Sequence, residues 1–170
     1  MITARLYNNQ VQSNSVEAYS LCAKSLFGEK DDELVIYMPC EALYLMQEKK
    51  LSLVKGKKNL SYSEALKELR KIDKKVSLTY PVYRDLRKKG YILKTGLKFG
   101  GDFRVYKAGE KPGKTHSAWI VSCQKENEKV MWSDFSAKSR VANSTRKKLL
   151  LALVDQENSP NYYEISWTRI

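Results

Sequence analysis

Apolar and polar positions divide the chain into short strands and helices. Residues 2–7 alternate as a strand does, and Asn8, Asn9 and Asn14 mark turns after it. Ser15 has the chemistry of a helix N-cap, which predicts a helix to about Phe27 with Gly28 as its stop. Residues 34–38 read as a strand. Pro39 then sits where a helix begins, and that helix carries Ala42, Leu45 and Met46 on one face. A short strand over 51–54 leads into the basic turn Lys55-Gly56-Lys57-Lys58. Ser61 and Glu64 have capping-box spacing for a helix with Leu66 and Leu69 turned inward.

Between Lys71 and Lys75 the apolar pattern breaks in a charged stretch, which predicts two domains, residues 1–75 and 76–170. The stretch 76–89 reads as helical after Pro81, with Val82 and Leu86 among many basic residues, and Gly90 ends it. Beyond Gly90 the period changes. Residues 91–95, 102–107, 117–124, 147–154 and 162–167 read as strands, and Ser133 is placed to cap one helix over about 134–143. The Gly100-Gly101 pair reads as a bend that lets the backbone approach another segment. No internal repeat or low-complexity tract occurs. The expected fold class is α/β (α+β), with a small mixed N-terminal domain and a C-terminal sheet accompanied by helices.

Charge narrows the choice of partner. The 170 residues carry 31 Lys and Arg against 19 Asp and Glu, a formal charge of +12. Such an excess favours a polyanion, because each phosphate neutralised releases a condensed counterion. The three cysteines, Cys22, Cys40 and Cys123, lie far apart and suit buried thiols better than a disulfide framework or a zinc site. No apolar run reaches the length of a membrane span, and residues 1–11 lack the apolar stretch of a signal peptide, so a soluble, cytoplasmic protein is expected.

The candidate chemistry lies in the second half. His116 is the lone histidine, set between a Gly- and Pro-containing loop (108–115) and a predicted strand. A hairpin across that loop would bring it near Tyr106. Lys147, at the start of a later strand, alternates with Arg146 and Lys148, so one face of that strand would receive Lys147 alone. Imidazole titrates near neutral pH and can act as a general acid, and an ammonium group can steady developing negative charge. Tyrosine, with a free pKa of about 10, is a weak base unless cations favour phenolate; Arg104, Lys107 and Lys147 are candidates for that role. Each residue type alone is common: the chain has 11 tyrosines, most needed for packing. Carboxylates in this half, Asp102, Asp134, Glu126 and Glu128, follow no metal-binding spacing, so neither a metal nor another cofactor is expected.

Ordered motifs add to this. Val82-Tyr83-Arg84-Asp85-Leu86-Arg87 with Gly90-Tyr91, Lys94-Thr95-Gly96-Leu97-Lys98-Phe99-Gly100, Asp102-Phe103-Arg104-Val105-Tyr106, His116-Ser117, Arg140-Val141-Ala142, Arg146-Lys147-Lys148-Leu149-Leu150 and Tyr162-Tyr163-Glu164 follow one another across residues 82–167. Together they resemble the archaeal tRNA-splicing endonuclease (tRNA-intron endonuclease) family. A weaker match at Glu41-Ala42-Leu43-Tyr44-Leu45 and Leu60-Ser61-Tyr62 extends into the first domain. The resemblance implies a catalytic domain over 76–170, with a central mixed sheet flanked by helices. Tyr106 would be general base, His116 general acid and Lys147 transition-state stabiliser. The substrate would be precursor tRNA, cut at a bulge–helix–bulge to leave 2′,3′-cyclic phosphate and 5′-hydroxyl ends without a metal. Arg140 would stack on a bulge base. The resemblance further implies a homotetramer or heterotetramer in which an acidic loop docks on a neighbouring subunit; Asp155 and Glu157 stand where that loop is expected, in a stretch with fewer acids than the family pattern. A non-catalytic RNA-binding or structural subunit is the alternative, and it would be expected to lack one of the three catalytic residues.

Overall fold

The computed structural model describes residues Met1–Ile170. Contacts divide it into two compact units, Met1–Tyr80 and Pro81–Ile170. The architecture is α+β in both.

The first unit contains β1 (Ile2–Tyr7), β2 (Gln10–Ser13), α1 (Val16–Ser25), β3 (Glu29–Asp31), β4 (Leu34–Tyr37), α2 (Pro39–Gln47), β5 (Leu51–Lys55), β6 (Lys58–Asn59) and α3 (Tyr62–Ile72). Its six strands run in the order β3-β4-β2-β1-β5-β6, with β1 and β5 parallel and the other pairs antiparallel. Asn8 and Asn9 both have positive φ and close the tight turn between β1 and β2, as asparagine does more readily than most residues. Ser15 caps α1 by accepting the Ala18 N–H, and Ser61 with Glu64 forms the expected capping box on α3. Ala4, Val11, Val35, Leu43, Leu45, Leu53 and Leu69 form the buried interior.

The helix stop differs from expectation. α1 ends at Leu26, which takes the left-handed conformation (φ 59°) while its N–H donates to the Cys22 carbonyl. Gly28 serves a different need. A Cβ there would lie 2.5 Å from Val35 Cγ1, so glycine lets this turn close against β4. Strands β2, β3 and β6 were not apparent in the pattern; at two to four residues they carry too little alternation to register.

The second unit is reached through α4 (Val76–Lys88), followed by β7 (Ile92–Thr95), a 3-10 turn (Leu97–Phe99), β8 (Phe103–Tyr106), β9 (Trp119–Lys125), α5 (Trp132–Ser144), β10 (Lys148–Val154) and β11 (Pro160–Ile165). α4 starts before Pro81 rather than after it. An interior proline costs about 3 kcal/mol through a lost hydrogen bond and a steric clash. Burial of Val76, Tyr80, Val82, Tyr83 and Leu86 along the helix offsets it. α5 likewise begins at Trp132, with Met131 in the N-cap position and no side-chain cap, so Ser133 is inside the helix; Asp134 supplies the negative charge that suits its first turn.

The five strands stand in the order β11-β10-β9-β8-β7. β9 and β10 are parallel, and every other pair is antiparallel. One face carries Ile120, Leu149 and Ile165 against Ala142 and Phe135 of α5 and Phe99. The opposite face receives α4: Tyr83 packs on Phe103 at 5.9 Å between ring centroids. Gly101 has no room for a side chain, since a Cβ would meet Ile120 Cγ2 at 2.4 Å and the Val121 carbonyl oxygen at 2.9 Å. Gly100 beside it has open space and a φ of +69°.

Gly101→Ala is therefore expected to destabilise the protein by about 1–3 kcal/mol through overpacking against β9. Gly100→Ala should cost about 1 kcal/mol, from backbone strain alone. Urea denaturation of the two variants checks this; equal midpoints would contradict the close-approach role of Gly101.

Candidate active site

The order and direction of the strands determine which side chains meet. β8 runs antiparallel to β9, and β10 runs parallel to β9. The C-terminal end of β8 and the N-terminal ends of β9 and β10 therefore share one edge of the sheet. Tyr106 is the last residue of β8, His116 lies just before β9, and Lys147 immediately precedes β10. The chain thus brings the three predicted residues to the same end of one sheet. Backbone bonds tie the ends together: the Ala118 N–H donates to the Val105 carbonyl at 2.9 Å, and the Lys148 N–H to the Ala118 carbonyl at 3.1 Å.

Alternation assigns the faces. Arg104 is opposite Ile120, whose side chain is in the α5-facing cluster, so Arg104 and Tyr106 turn towards α5 while Phe103 and Val105 turn towards α4. Arg104 holds its guanidinium 5.6 Å from the Phe99 ring centroid. The Lys147 ammonium approaches the same ring at 5.2 Å and donates to the Thr145 carbonyl at 3.1 Å. Two cations thus approach one aromatic ring. Neither has a carboxylate partner. Lys148 turns the other way and pairs with Glu164, which also accepts the Trp119 Nε1–H at 2.8 Å.

Lys147 is placed by the end of α5. Arg146 adopts φ 57°, its N–H donates to the Asn143 carbonyl at 3.0 Å, and the Lys147 N–H donates to the Ala142 carbonyl at 2.8 Å. This is the Schellman arrangement, with arginine where glycine is usual. Lys147 is therefore the residue that leaves the helix cap, and β10 begins one residue later than the pattern predicted. The expected alternation holds for Lys147 and Lys148; Arg146 belongs to the cap, not the strand.

Tyr106 is only 4% exposed. Its hydroxyl has no partner within the chain and is not among those sealed from solvent, unlike that of Tyr37, so the exposed part of the residue includes the hydroxyl. His116 is exposed, in the connection between β8 and β9. Arg140 is exposed near the C-terminal end of α5, the end that feeds Lys147. Asp155 and Glu157 lie in the β10–β11 turn. The Asp155 carboxylate accepts the N–H groups of Glu157 (2.9 Å) and Ser159 (2.8 Å), shaping the turn, while Glu157 is exposed. No group of three His, Cys, Asp or Glu side chains suited to a metal ion is formed in the chain, and no helix is long and apolar enough to cross a membrane.

Comparison with known proteins identifies the family. Residues 76–162 match the model of the tRNA intron endonuclease catalytic C-terminal domain, and residues 2–66 that of the tRNA intron endonuclease N-terminal domain. The chain belongs to the tRNA intron endonuclease family. A tRNA-splicing endonuclease of Methanothermobacter thermautotrophicus is 41% identical over 152 residues, covering 89% of this chain and 88% of that protein. One from Thermococcus gammatolerans is 35% identical over 170 residues, covering 99% of each. Another, from Nanoarchaeum equitans, is 38% identical over 154 residues, covering 85% of this chain and 97% of that protein. The family's catalytic-domain match spans Tyr106, His116 and Lys147, together with Phe99 and Arg104. Of these, the ring that gathers the two cations was not singled out in the sequence. The i, i+2 spacing of Arg104 and Tyr106 in a strand was the available signal for their shared face.

Two outcomes test the local physics. Arg146→Gly should raise stability by about 1 kcal/mol, because glycine takes the left-handed conformation without the Cβ penalty; an unchanged or lower urea midpoint would contradict this. The Glu164 carboxyl is held below the usual carboxylate range, chiefly by its hydrogen bond from Lys148 and then by Trp119. Its folded pKa being depressed, the contact is fully present above the ordinary glutamate value of about 4.3 and is lost as pH falls through the folded value. Trp119 fluorescence should therefore change on acidification below about pH 4. Glu164→Gln should abolish that change.

Proposed function

We propose that this chain is the catalytic subunit of a tRNA-splicing endonuclease that cuts precursor tRNA at intron–exon junctions. Family membership supports the substrate class. The observation that carries the chemistry is the convergence of strand ends bearing Tyr106, His116 and Lys147, beside a second cation, Arg104, with no carboxylate to neutralise the pair.

In this reading Tyr106 removes the proton from a ribose 2′-hydroxyl. The oxygen attacks the adjacent phosphorus, the bond to the 5′-oxygen breaks, and His116 protonates that leaving oxygen. Lys147 steadies the negative charge on the phosphoryl oxygens between attack and departure. Arg104 fixes the Phe99 ring from its other contact and adds positive potential. The products carry a 2′,3′-cyclic phosphate and a 5′-hydroxyl, and the charge stabilisation comes from side chains rather than from a metal ion. The preferred RNA is a bulge–helix–bulge, read by shape and splayed bases. Arg140, exposed at the end of α5, is suited to stack on one such base.

The working unit is proposed to be a homotetramer or heterotetramer. β11 is an edge strand, and Tyr163 and Trp167 at or beyond it are exposed, as are Val130, Met131 and Trp132 before and within the start of α5. Large apolar side chains left open in this way suit a subunit contact. Glu157 is the projecting charge of the β10–β11 turn and is the stronger candidate for docking on a neighbour, since Asp155 is engaged in the turn itself.

His116→Ala is expected to lower cleavage of an intron-containing precursor by roughly 10²–10⁴-fold with little change in binding. Unaltered cleavage would instead point to a non-catalytic subunit. Cleavage by the native chain should persist in excess chelator and leave cyclic-phosphate termini; a 5′-phosphate product would rule out the proposed attack. Affinity should fall steeply as salt rises, since phosphate contacts dominate it.

A further inference from the structure

The opposite face of the same sheet end holds a cavity with no part in the chemistry above. Leu86, Tyr91, Val105, Trp119, Leu150 and Tyr162 line it, with Lys89 and Glu164 at its polar edge, and its volume is about 190 Å³. Tyr91 and Trp119 meet edge to face at 5.9 Å between centroids. An engineered apolar cavity of about 150 Å³ holds benzene, so this space is on the scale of a single aromatic ring. Its position is specific. Tyr91 precedes β7, whose first residue, Ile92, is opposite Tyr106; Val105 adjoins Tyr106 in β8; Trp119 opens β9 and is opposite Lys148, the residue after Lys147. The cavity and the proposed catalytic groups therefore occupy the two faces of one sheet edge.

The rim is basic. Lys107 lies 6.0 Å from the Trp119 ring centroid and forms no ion pair. Lys89 lies 5.3 Å from that of Tyr162, and pairs with Asp85. Lys148 pairs with Glu164. Glu164 in turn fixes the Trp119 indole through Nε1, so the largest wall of the cavity is held in place before any ligand arrives. An aromatic slot with a cation at its mouth is suited to a nucleobase whose own phosphate meets the cation, because every base has a face to stack and a charge attached to it.

We propose that this cavity receives one unstacked base of the RNA, from a nucleotide next to the cut, with Lys107 meeting its phosphate. The inference rests on the RNA-cleavage reading and adds a second base contact, distinct from Arg140. A strand of RNA passing over the sheet edge presents its scissile phosphate to Tyr106, His116 and Lys147 and sends a neighbouring base down the other face. The slot thereby sets which phosphate lies at the edge. Its aromatic walls accept any base, so it acts on register rather than on sequence.

The test is binding, in chelator and in a His116→Ala background, of precursor tRNAs in which each nucleotide around the cut is replaced in turn by an abasic residue. One abasic position should weaken binding by roughly tenfold, the usual scale of a lost base–aromatic stack. Trp119→Leu should weaken binding of the intact RNA by a similar factor and show no further loss with that abasic RNA. Tyr91→Leu, which leaves the indole and its Glu164 contact in place, should behave alike if Trp119→Leu does not fold. Full discrimination retained by a folded variant, or none at any position by the native chain, would overturn the proposal. So would a change in assembly mass in the variants without a change in abasic discrimination, which would make the cavity a subunit contact. Because binding is read without cleavage, failure of the catalytic reading would appear separately, as native chain that binds and does not cut.

Discussion

Parallel pairing of β9 with β10 is the constraint on which the site depends. Two parallel neighbours cannot be joined by a tight turn, so the chain must leave the far end of β9, cross the sheet and return to the near end. α5 makes that crossing. Its apolar side, through Phe135 and Ala142, covers Ile120 and Leu149, which are themselves opposite one another in the register. Its last turn has to reverse direction sharply to start β10, and the Schellman bonds from Arg146 and Lys147 do so. Lys147 is consequently delivered at a fixed point: after the cap, before the strand, and at the edge where β8 ends. Without the parallel pair, Tyr106 and Lys147 would have no reason to lie at the same end.

Charge is distributed so that this edge stays positive. Among the acids, Glu68 meets Lys55 and Lys71, Glu64 meets Lys58, Asp85 meets Lys89, and Glu164 meets Lys148. Exposed pairs of this kind add little stability, commonly under about 1 kcal/mol. Their effect on the potential is larger: they cancel lysines away from the Phe99 face and leave Arg104 and Lys147 uncancelled there. An excess of +12 would attract a polyanion wherever it lay. Two cations without a carboxylate partner around one ring concentrate that attraction where β8 ends and β10 begins.

Much of this was legible in the chain because local rules and tertiary packing agree. Asn8-Asn9, Ser15 and the Ser61–Glu64 box each perform the local task their chemistry predicts. The bend at Gly100-Gly101 is likewise where the backbone closes on β9. The departures occur where burial overrides local preference. Pro81 should open a helix and instead lies within one, because residues before it have an interior to fill. Leu26 ends α1 in a conformation that suits glycine, while Gly28, two residues later, is the glycine that lies against Val35. The Tyr91–Trp119 slot was not legible at all. Its walls come from α4 and several strands, and no spacing along the chain links Tyr91 to Trp119 or Trp119 to Tyr162.

Tyrosine makes the same point with a chemical consequence. Eleven are present, and composition cannot rank them. Burial pushes the Tyr37 and Tyr162 phenols above their ordinary value, and a nearby carboxylate, Glu41 for the first and Asp85 for the second, pushes them further. Both are thereby kept as hydrogen-bonding or packing groups, since a phenolate in either place would be buried beside a negative charge. Tyr162 in particular donates to Asp85 at 2.7 Å. Tyr106 has different neighbours: Arg104 shares its strand face, Lys147 immediately precedes the strand beyond β9, and no carboxylate is paired with either cation. What distinguishes it is not its chemistry but the sign of the charges that the strand order sets beside it. The fold sets the Tyr37 and Tyr162 phenols against acids and leaves the Tyr106 hydroxyl without a carboxylate partner, on the strand face that carries Arg104.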